Sequence, residues 1–106
     1  MRVLLMDSEN RLFFSPANIW EIIIKNQLGR ADFNVDPRQL WRRLLLNGYE
    51  ELAITSEHTL AVDFLPPLHK DPFDRILLAQ AKVEGFNLLT VDEKLIEYGD
   101  PVLQLN

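Results

Sequence analysis

Three carboxylates stand where chemistry could be done. Glu21 lies within an apolar helical run, Asp74 in the segment His69-Lys70-Asp71-Pro72-Phe73-Asp74-Arg75, and Asp92 just after Leu88-Leu89-Thr90-Val91. Each has a plain structural account. At 100° per residue, Glu21 falls with Asn18 and Lys25 on a narrow polar stripe, where an i,i+4 pair with Lys25 is worth ~0.2–0.5 kcal/mol. Asp74 would be the third helical residue after an Asp71 cap, where an acid favours the helix dipole by ~0.3–1 kcal/mol. Asp92 would be an N-cap.

Asp74 also has a second reading. It shares the i, i+3, i+4, i+7 face with Leu77, Leu78 and Ala81. Ile76, Ala79 and Val83 make a second apolar face, so this helix is mostly buried. A buried carboxylate without a partner is costly, and a cation or basic neighbour offsets that cost. Taken together, the three acids sit where an α/β sheet gathers its ligands. Mg²⁺ takes oxygen ligands and keeps several waters, so two or three carboxylates suffice. Such an ion makes water nucleophilic and stabilises phosphoryl charge. The sequence has no cysteine, and it shows neither a Ser-His pairing nor a phosphate-cradling glycine loop.

The elements that must position these acids are marked by strong punctuation. Ser15-Pro16 and Asp36-Pro37 each give a cap followed by proline at the first helical position. They predict helices over residues 17–28, stopped by Gly29, and from Pro37 to near Asn47-Gly48. Ser56 is expected to cap a third helix before Pro66-Pro67, and Asp71-Pro72 a fourth ending at Gly85. Asp92 is expected to cap a short fifth. Strands are expected over residues 11–15, 51–55, 87–91 and 102–105. Strands alternating with helices argue for an α/β domain with a mostly parallel sheet. In such sheets the working site lies at the carboxyl ends of the strands.

The 106 residues make one domain, 47% hydrophobic and 25% charged. The net charge of −5 argues against a broad basic nucleic-acid face. It does not exclude a nuclease, because bound cations offset acidic ligands. No apolar run is long enough to span a membrane and the N-terminus is no signal peptide, so a cytoplasmic location is expected. Trp20 and Trp41 read as core or interface anchors. Arg42 and Arg43 read as a solvated helix face. His58 and His69 have no ligand spacing, and His69 is expected in a loop without a catalytic partner.

Residues 15–25, Ser-Pro-Ala-Asn-Ile-Trp-Glu-Ile-Ile-Ile-Lys, resemble the SxxSxWEIxIK segment of PIN-domain proteins, in particular the VapC-type toxins of type II toxin–antitoxin pairs. Residues 66–75 resemble their LPxxHxDPFDR segment, and Leu89-Thr90-Val91-Asp92 their LVTxD strand end. Tyr98-Gly99 and the closing Val102-Leu103 also fit. The resemblance covers essentially the whole chain. It implies a three-layer PIN-like domain over residues 1–106 and a ribonuclease using Mg²⁺ or Mn²⁺. It also implies an RNA substrate, a cognate antitoxin and a homodimer. By matching positions, Glu21, Asp74 and Asp92 would be the catalytic and metal-binding acids. Thr90 would be a supporting hydroxyl, and Asp71 a cap rather than a ligand.

One departure stands out. The family opens with a central strand ending in LLDT, whose Asp is a principal ligand. Asp7, after Arg2-Val3-Leu4-Leu5-Met6, superficially imitates it but precedes Glu21 by only 14 residues. A parallel crossover takes a dozen residues or more, and the family fits a helix and a strand into that interval. Asp7 is therefore read as a turn residue following the remnant of a first helix, and the domain as incomplete at its N-terminus. Three outcomes are open: the sheet closes differently, another copy fills the gap, or the domain pairs through the exposed region. The function then lies between a metal-dependent endoribonuclease and a catalytically inactive module that dimerises or binds an antitoxin.

Overall fold

A computed structural model describes residues 3–29 and 34–105. The expected punctuation sets most element ends. Helix α1 spans Pro16–Gln27, capped by Ser15, whose side chain accepts from the Ala17 N–H, while the Asn18 side chain accepts from the Ser15 N–H in return. Helix α2 spans Pro37–Leu46, capped by Asp36. Helix α4 spans Pro72–Glu84, capped by Asp71 and closed by Gly85 at φ 72°, a left-handed conformation that suits glycine. Helix α5, Glu93–Ile96, is capped by Asp92.

The five strands are β1 (Val3–Met6), β2 (Leu12–Phe14), β3 (Glu50–Glu51), β4 (Asn87–Thr90) and β5 (Val102–Gln104). They form one sheet in the order β3-β2-β1-β4-β5. β2 pairs parallel with β3, and β4 with β5, while β1 is antiparallel to both neighbours. Four of these strands thus run one way and β1 alone runs against them. The expectation of an α/β domain with a mostly parallel sheet holds.

The expectation for the first residues does not hold. Val3–Met6 is no helix remnant. It is the central strand, paired Val3↔Thr90 through Met6↔Asn87 on one side and Leu5↔Phe13 on the other. Only residues 7–11 separate it from β2, and so short a link joins antiparallel neighbours, never parallel ones. Asp7 builds that link. Its Oδ1 accepts from the Glu9 and Arg11 N–H groups (3.0 and 2.8 Å), its Oδ2 meets Arg11 Nε at 2.7 Å, and Asn10 takes the left-handed conformation (φ 65°) that turns the chain. The turn reading of Asp7 is therefore right. Of the three outcomes, the sheet closes differently, its middle filled by the chain's own β1.

Two smaller differences have local causes. Helix α3 is Ser56–Ala61, capped by Thr55 rather than Ser56. His58 at the third position accepts the Thr55 N–H on Nδ1 (3.0 Å), so its proton sits on Nε2 and is donated to Glu84 Oε2 (2.7 Å), tying α3 to α4. The strand expected over residues 51–55 shrinks to Glu50–Glu51. The Leu52 and Ala53 carbonyls turn instead to the Nε2 of the fully buried Gln80 (3.1 and 3.4 Å).

The core is one cluster around β1, β4 and α4: Leu5, Leu77, Leu78, Leu88 and Leu95 are each at most 1% exposed. Burying each such leucine is worth ~1.5–3 kcal/mol. The two tryptophans are not in it. Trp20 is 60% exposed and meets the Phe73 ring edge-on at 5.1 Å, and Trp41 gives its indole N–H to Glu51 (3.0 Å). Arg42 and Arg43 are solvent-exposed, as expected.

Candidate metal centre

The carboxyl ends of β2 and β4 lie at one pole of the sheet, and the reversed β1 presents its first residue, Val3, between them. The chain turns from β2 through Ser15 into α1, so Asn18 and Glu21, in its first two turns, stand over this pole. Asn18 is buried and donates its side-chain N–H to the Val3 carbonyl (3.2 Å). From β4, Thr90 is fully buried and its Oγ1 accepts the Asp92 N–H (2.9 Å), while Asp92 Oδ1 accepts the Lys94 N–H (2.9 Å). The third contribution is the start of α4. Asp71 Oδ1 accepts the Phe73 and Asp74 N–H groups (2.9 and 3.4 Å), which fixes the first turn and turns Asp74 inward to 7% exposure.

Glu21, Asp71, Asp74 and Asp92 line one pocket of about 320 Å³ together with Val3, Asn18 and Lys25. Within it the acids are not equivalent. Ligand atoms of His69, Asp74 and Asp92 all lie within 4.8 Å of one another. Glu21 shares the pocket but stands outside that tight group, its Oε2 3.7 Å from Lys25 Nζ. The ion pair expected between Glu21 and Lys25 therefore forms, and it does so at the mouth of the acid pocket rather than on an open face.

Asp74 carries the electrostatic strain of the site. Burial pushes its carboxyl pKa up, and the charges of Asp71 and Asp92 push it further. The His69 hydrogen bond and charge pull the other way without cancelling the rise. An acid that is raised in this way, inside a group of other acids, is one whose ionised form a cation would stabilise. The donors are oxygens with one imidazole, a set that suits a hard or borderline divalent ion. The residues present therefore fit a divalent cation.

His69 is the residue that sequence reasoning missed. It lies in a loop, as expected, but its Nε2 is 2.7 Å from Asp74 Oδ2 and its side chain is only 12% exposed. It is expected to have no catalytic partner, yet it is hydrogen-bonded to one of the candidate acids. The available signal was its position two residues before the Asp71 cap and five before Asp74, close enough to fold back on the first turn. Asp7 lies at the opposite pole, about 13 Å away along a four-residue strand, and takes no part in the pocket.

The PIN domain family profile matches residues 2–101. No curated protein and no solved structure matches the chain.

Proposed function

Because the chain belongs to the PIN domain family, a family of metal-dependent nucleases, we propose that it is an endoribonuclease of the VapC toxin type. The observation that carries this reading is the pocket that collects Glu21, Asp74 and Asp92, with the Asp74 carboxyl destabilised chiefly by its burial. In this reading Asp74 and Asp92 would hold a divalent ion, with Glu21 facing it from α1. The ion supplies a lowered pKa for a bound water and charge neutralisation at a phosphoryl oxygen.

The chain's own residues do the rest. Asp71 and Thr90 fix the backbone beneath Asp74 and Asp92, so the two carboxylates are set before any ligand arrives. Lys25 beside Glu21 balances part of the acid charge at the mouth and offers a phosphate a positive neighbour. The net charge of −5 repels RNA at long range. Binding of RNA therefore depends on the ion and on a basic partner surface, not on broad electrostatic attraction.

The finer assignments follow from the same reading: a cognate antitoxin, a homodimer and a cytoplasmic location. The support for a protein partner is an open apolar groove of about 510 Å³ between α1 and α2, lined by Ile19, Ile23, Pro37 and Trp41, with Leu45 and Leu46 exposed beyond it. Among the described residues no helix is long and apolar enough to cross a membrane.

One observation favours a second reading. The reversed β1 brings Val3 to the acid pole and carries Asp7 to the far one. The middle of the sheet therefore gives the pocket no carboxylate, and the module could bind partners while cleaving little RNA. RNA cleavage with Mg²⁺ or Mn²⁺, with Asp74→Asn as control, separates the two. Cleavage by the natural chain that vanishes in Asp74→Asn supports the nuclease. Equal residual cleavage by both removes it and leaves the binding module.

A further inference from the structure

His69 is not one of the acids assigned above, yet its imidazole is in direct contact with the most buried of them. We propose that His69 is a nitrogen donor to the divalent ion, so that this centre is a mixed imidazole–carboxylate site that favours Mn²⁺ over Mg²⁺. The proposal rests on the metal-holding reading of the pocket and names one further residue and the ion class it selects.

Three observations carry it. The first is reach. The ligand atoms of His69, Asp74 and Asp92 are mutually within 4.8 Å. Ligands on opposite sides of one ion are about 4.2–4.8 Å apart at bond lengths of about 2.1–2.4 Å. Small side-chain movements would therefore let one ion touch all three. Neighbouring ligands at about 2.1 Å bonds stand about 3.0 Å apart. The His69 Nε2 to Asp74 Oδ2 separation of 2.7 Å need open by only about 0.3 Å for the ion to replace the shared proton.

The second is preparation. A loop histidine is usually free to swing, but both backbone groups of this one are tied. Its N–H is donated to Tyr98 Oη (3.1 Å), and its carbonyl accepts from Arg75 Nη1 (3.2 Å). The same guanidinium also holds the Pro66 and Val62 carbonyls (3.2 Å each). Arg75, one residue after Asp74, thus spends its donors on the loop rather than on the acids. The loop that bears His69 is clamped to the helix that bears Asp74. A donor fixed this way binds with little ordering cost.

The third is chemistry. Mg²⁺ is poorly served by imidazole, whereas Mn²⁺, which shares its preference for carboxylates, belongs to the transition series whose ions also accept nitrogen donors. An imidazole in the shell therefore separates Mn²⁺ from Mg²⁺ more than carboxylates alone would.

The test uses the whole chain, with Mn²⁺ and Mg²⁺ as separate probes, and reads two quantities. Electron spin echo modulation of the Mn²⁺ complex reports whether a ¹⁴N nucleus is bonded to the metal. Calorimetry gives both affinities. The variant is His69→Gln, which keeps an amide donor for Asp74 Oδ2 and so preserves an orienting role while removing the imidazole. We expect ¹⁴N modulation in the natural protein and none in His69→Gln. Mn²⁺ affinity should fall tenfold or more in the variant, while Mg²⁺ affinity changes by less than threefold. Mn²⁺ bound without nitrogen modulation, or a Mn²⁺/Mg²⁺ preference that His69→Gln leaves unchanged, overturns the proposal while sparing the metal site. Failure of either ion to bind the natural protein at millimolar concentration overturns the metal site itself, and the proposal with it.

Discussion

Asp7 and Asp74 are both buried aspartates, at opposite ends of the same sheet, and their surroundings treat them in opposite ways. Burial would raise the Asp7 carboxyl, but the Arg11 N–H, the Arg11 guanidinium and the Glu9 N–H outweigh it and hold the pKa below the ordinary value. Burial also raises Asp74, and there Asp71 and Asp92 add to the effect while His69 only partly opposes it. One carboxylate is fully supplied with partners and closes a hairpin. In the other, burial outweighs what its partners supply, and a cation would stabilise its ionised form. Burial of an acid is thus not by itself a sign of function. What matters is whether the fold's own hydrogen bonds and charges outweigh the cost of burial.

The largest effect that would break this comparison concerns metal binding. Asp74→Asn should weaken Mn²⁺ binding at least 100-fold, about 2.7 kcal/mol. Asp7→Asn should leave it within threefold and instead lower the thermal midpoint by loosening the β1–β2 turn. Calorimetric titration of both variants checks this. Similar losses of affinity in the two would erase the distinction.

A gain-of-function change sharpens it. Val3 occupies the acid pole at 7% exposure, so Val3→Asp should tighten Mn²⁺ about tenfold, about 1.4 kcal/mol. The same change should destabilise the metal-free protein by about 1–3 kcal/mol, because a buried acid is added without a partner. An unchanged affinity would mean that the end of β1 does not face the ion.

Asp92 combines both roles and should show a smaller stability effect. Asp92→Ala loses the α5 cap, about 1 kcal/mol, visible in chelator as a drop of about 4–8 °C. Asp74→Asn should raise the midpoint under the same conditions. A stabilising Asp92→Ala would show that its capping bond contributes less than its repulsion of Asp74.

The gentlest probe is pH. Asp7, with a lowered pKa, contributes stability that is present above the ordinary aspartate value of about 3.9 and is lost as pH falls through its own lower pKa. Asp74, with a raised pKa, holds its proton longer in the folded chain. It costs nothing below that ordinary value and becomes increasingly destabilising as pH rises through its higher pKa. In metal-free protein the stabilisation by Asp74→Asn should therefore grow from pH 4 towards pH 7, whereas the loss in Asp7→Asn should shrink on acidification. Thermal melts across pH 3–7 read both, and parallel curves for Asp74→Asn and the natural protein would contradict the assignment.

What the sequence made legible was local. Ser15-Pro16, Asp36-Pro37 and Asp71-Pro72 cap their helices because cap and proline act over one turn. The inward face of Asp74 followed from 3.6-residue spacing. The direction of β1 was legible only through the brevity of its link to β2, since an apolar tetrapeptide has no intrinsic partner and acquires one only in the assembled sheet. Asn18 looked like a polar stripe residue and is instead buried against the Val3 carbonyl, a contact set by the reversed strand. His69 escaped for a related reason: its spacing to Asp74 allows the contact, but the Arg75 and Tyr98 clamp that holds it there forms only in the assembled fold. The pairing of Glu21 with Lys25 was legible, but not the pocket it opens onto.

The central claim is that the buried Asp74 carboxyl, together with Asp92, gathers one divalent ion. Anomalous diffraction from a Mn²⁺-soaked crystal addresses it most directly. The account predicts a single strong peak within about 2.0–2.5 Å of Asp74 and Asp92 oxygens, with Glu21 facing it across the pocket. A peak at the Asp7 turn, or none near Asp74 at saturating Mn²⁺, would contradict it.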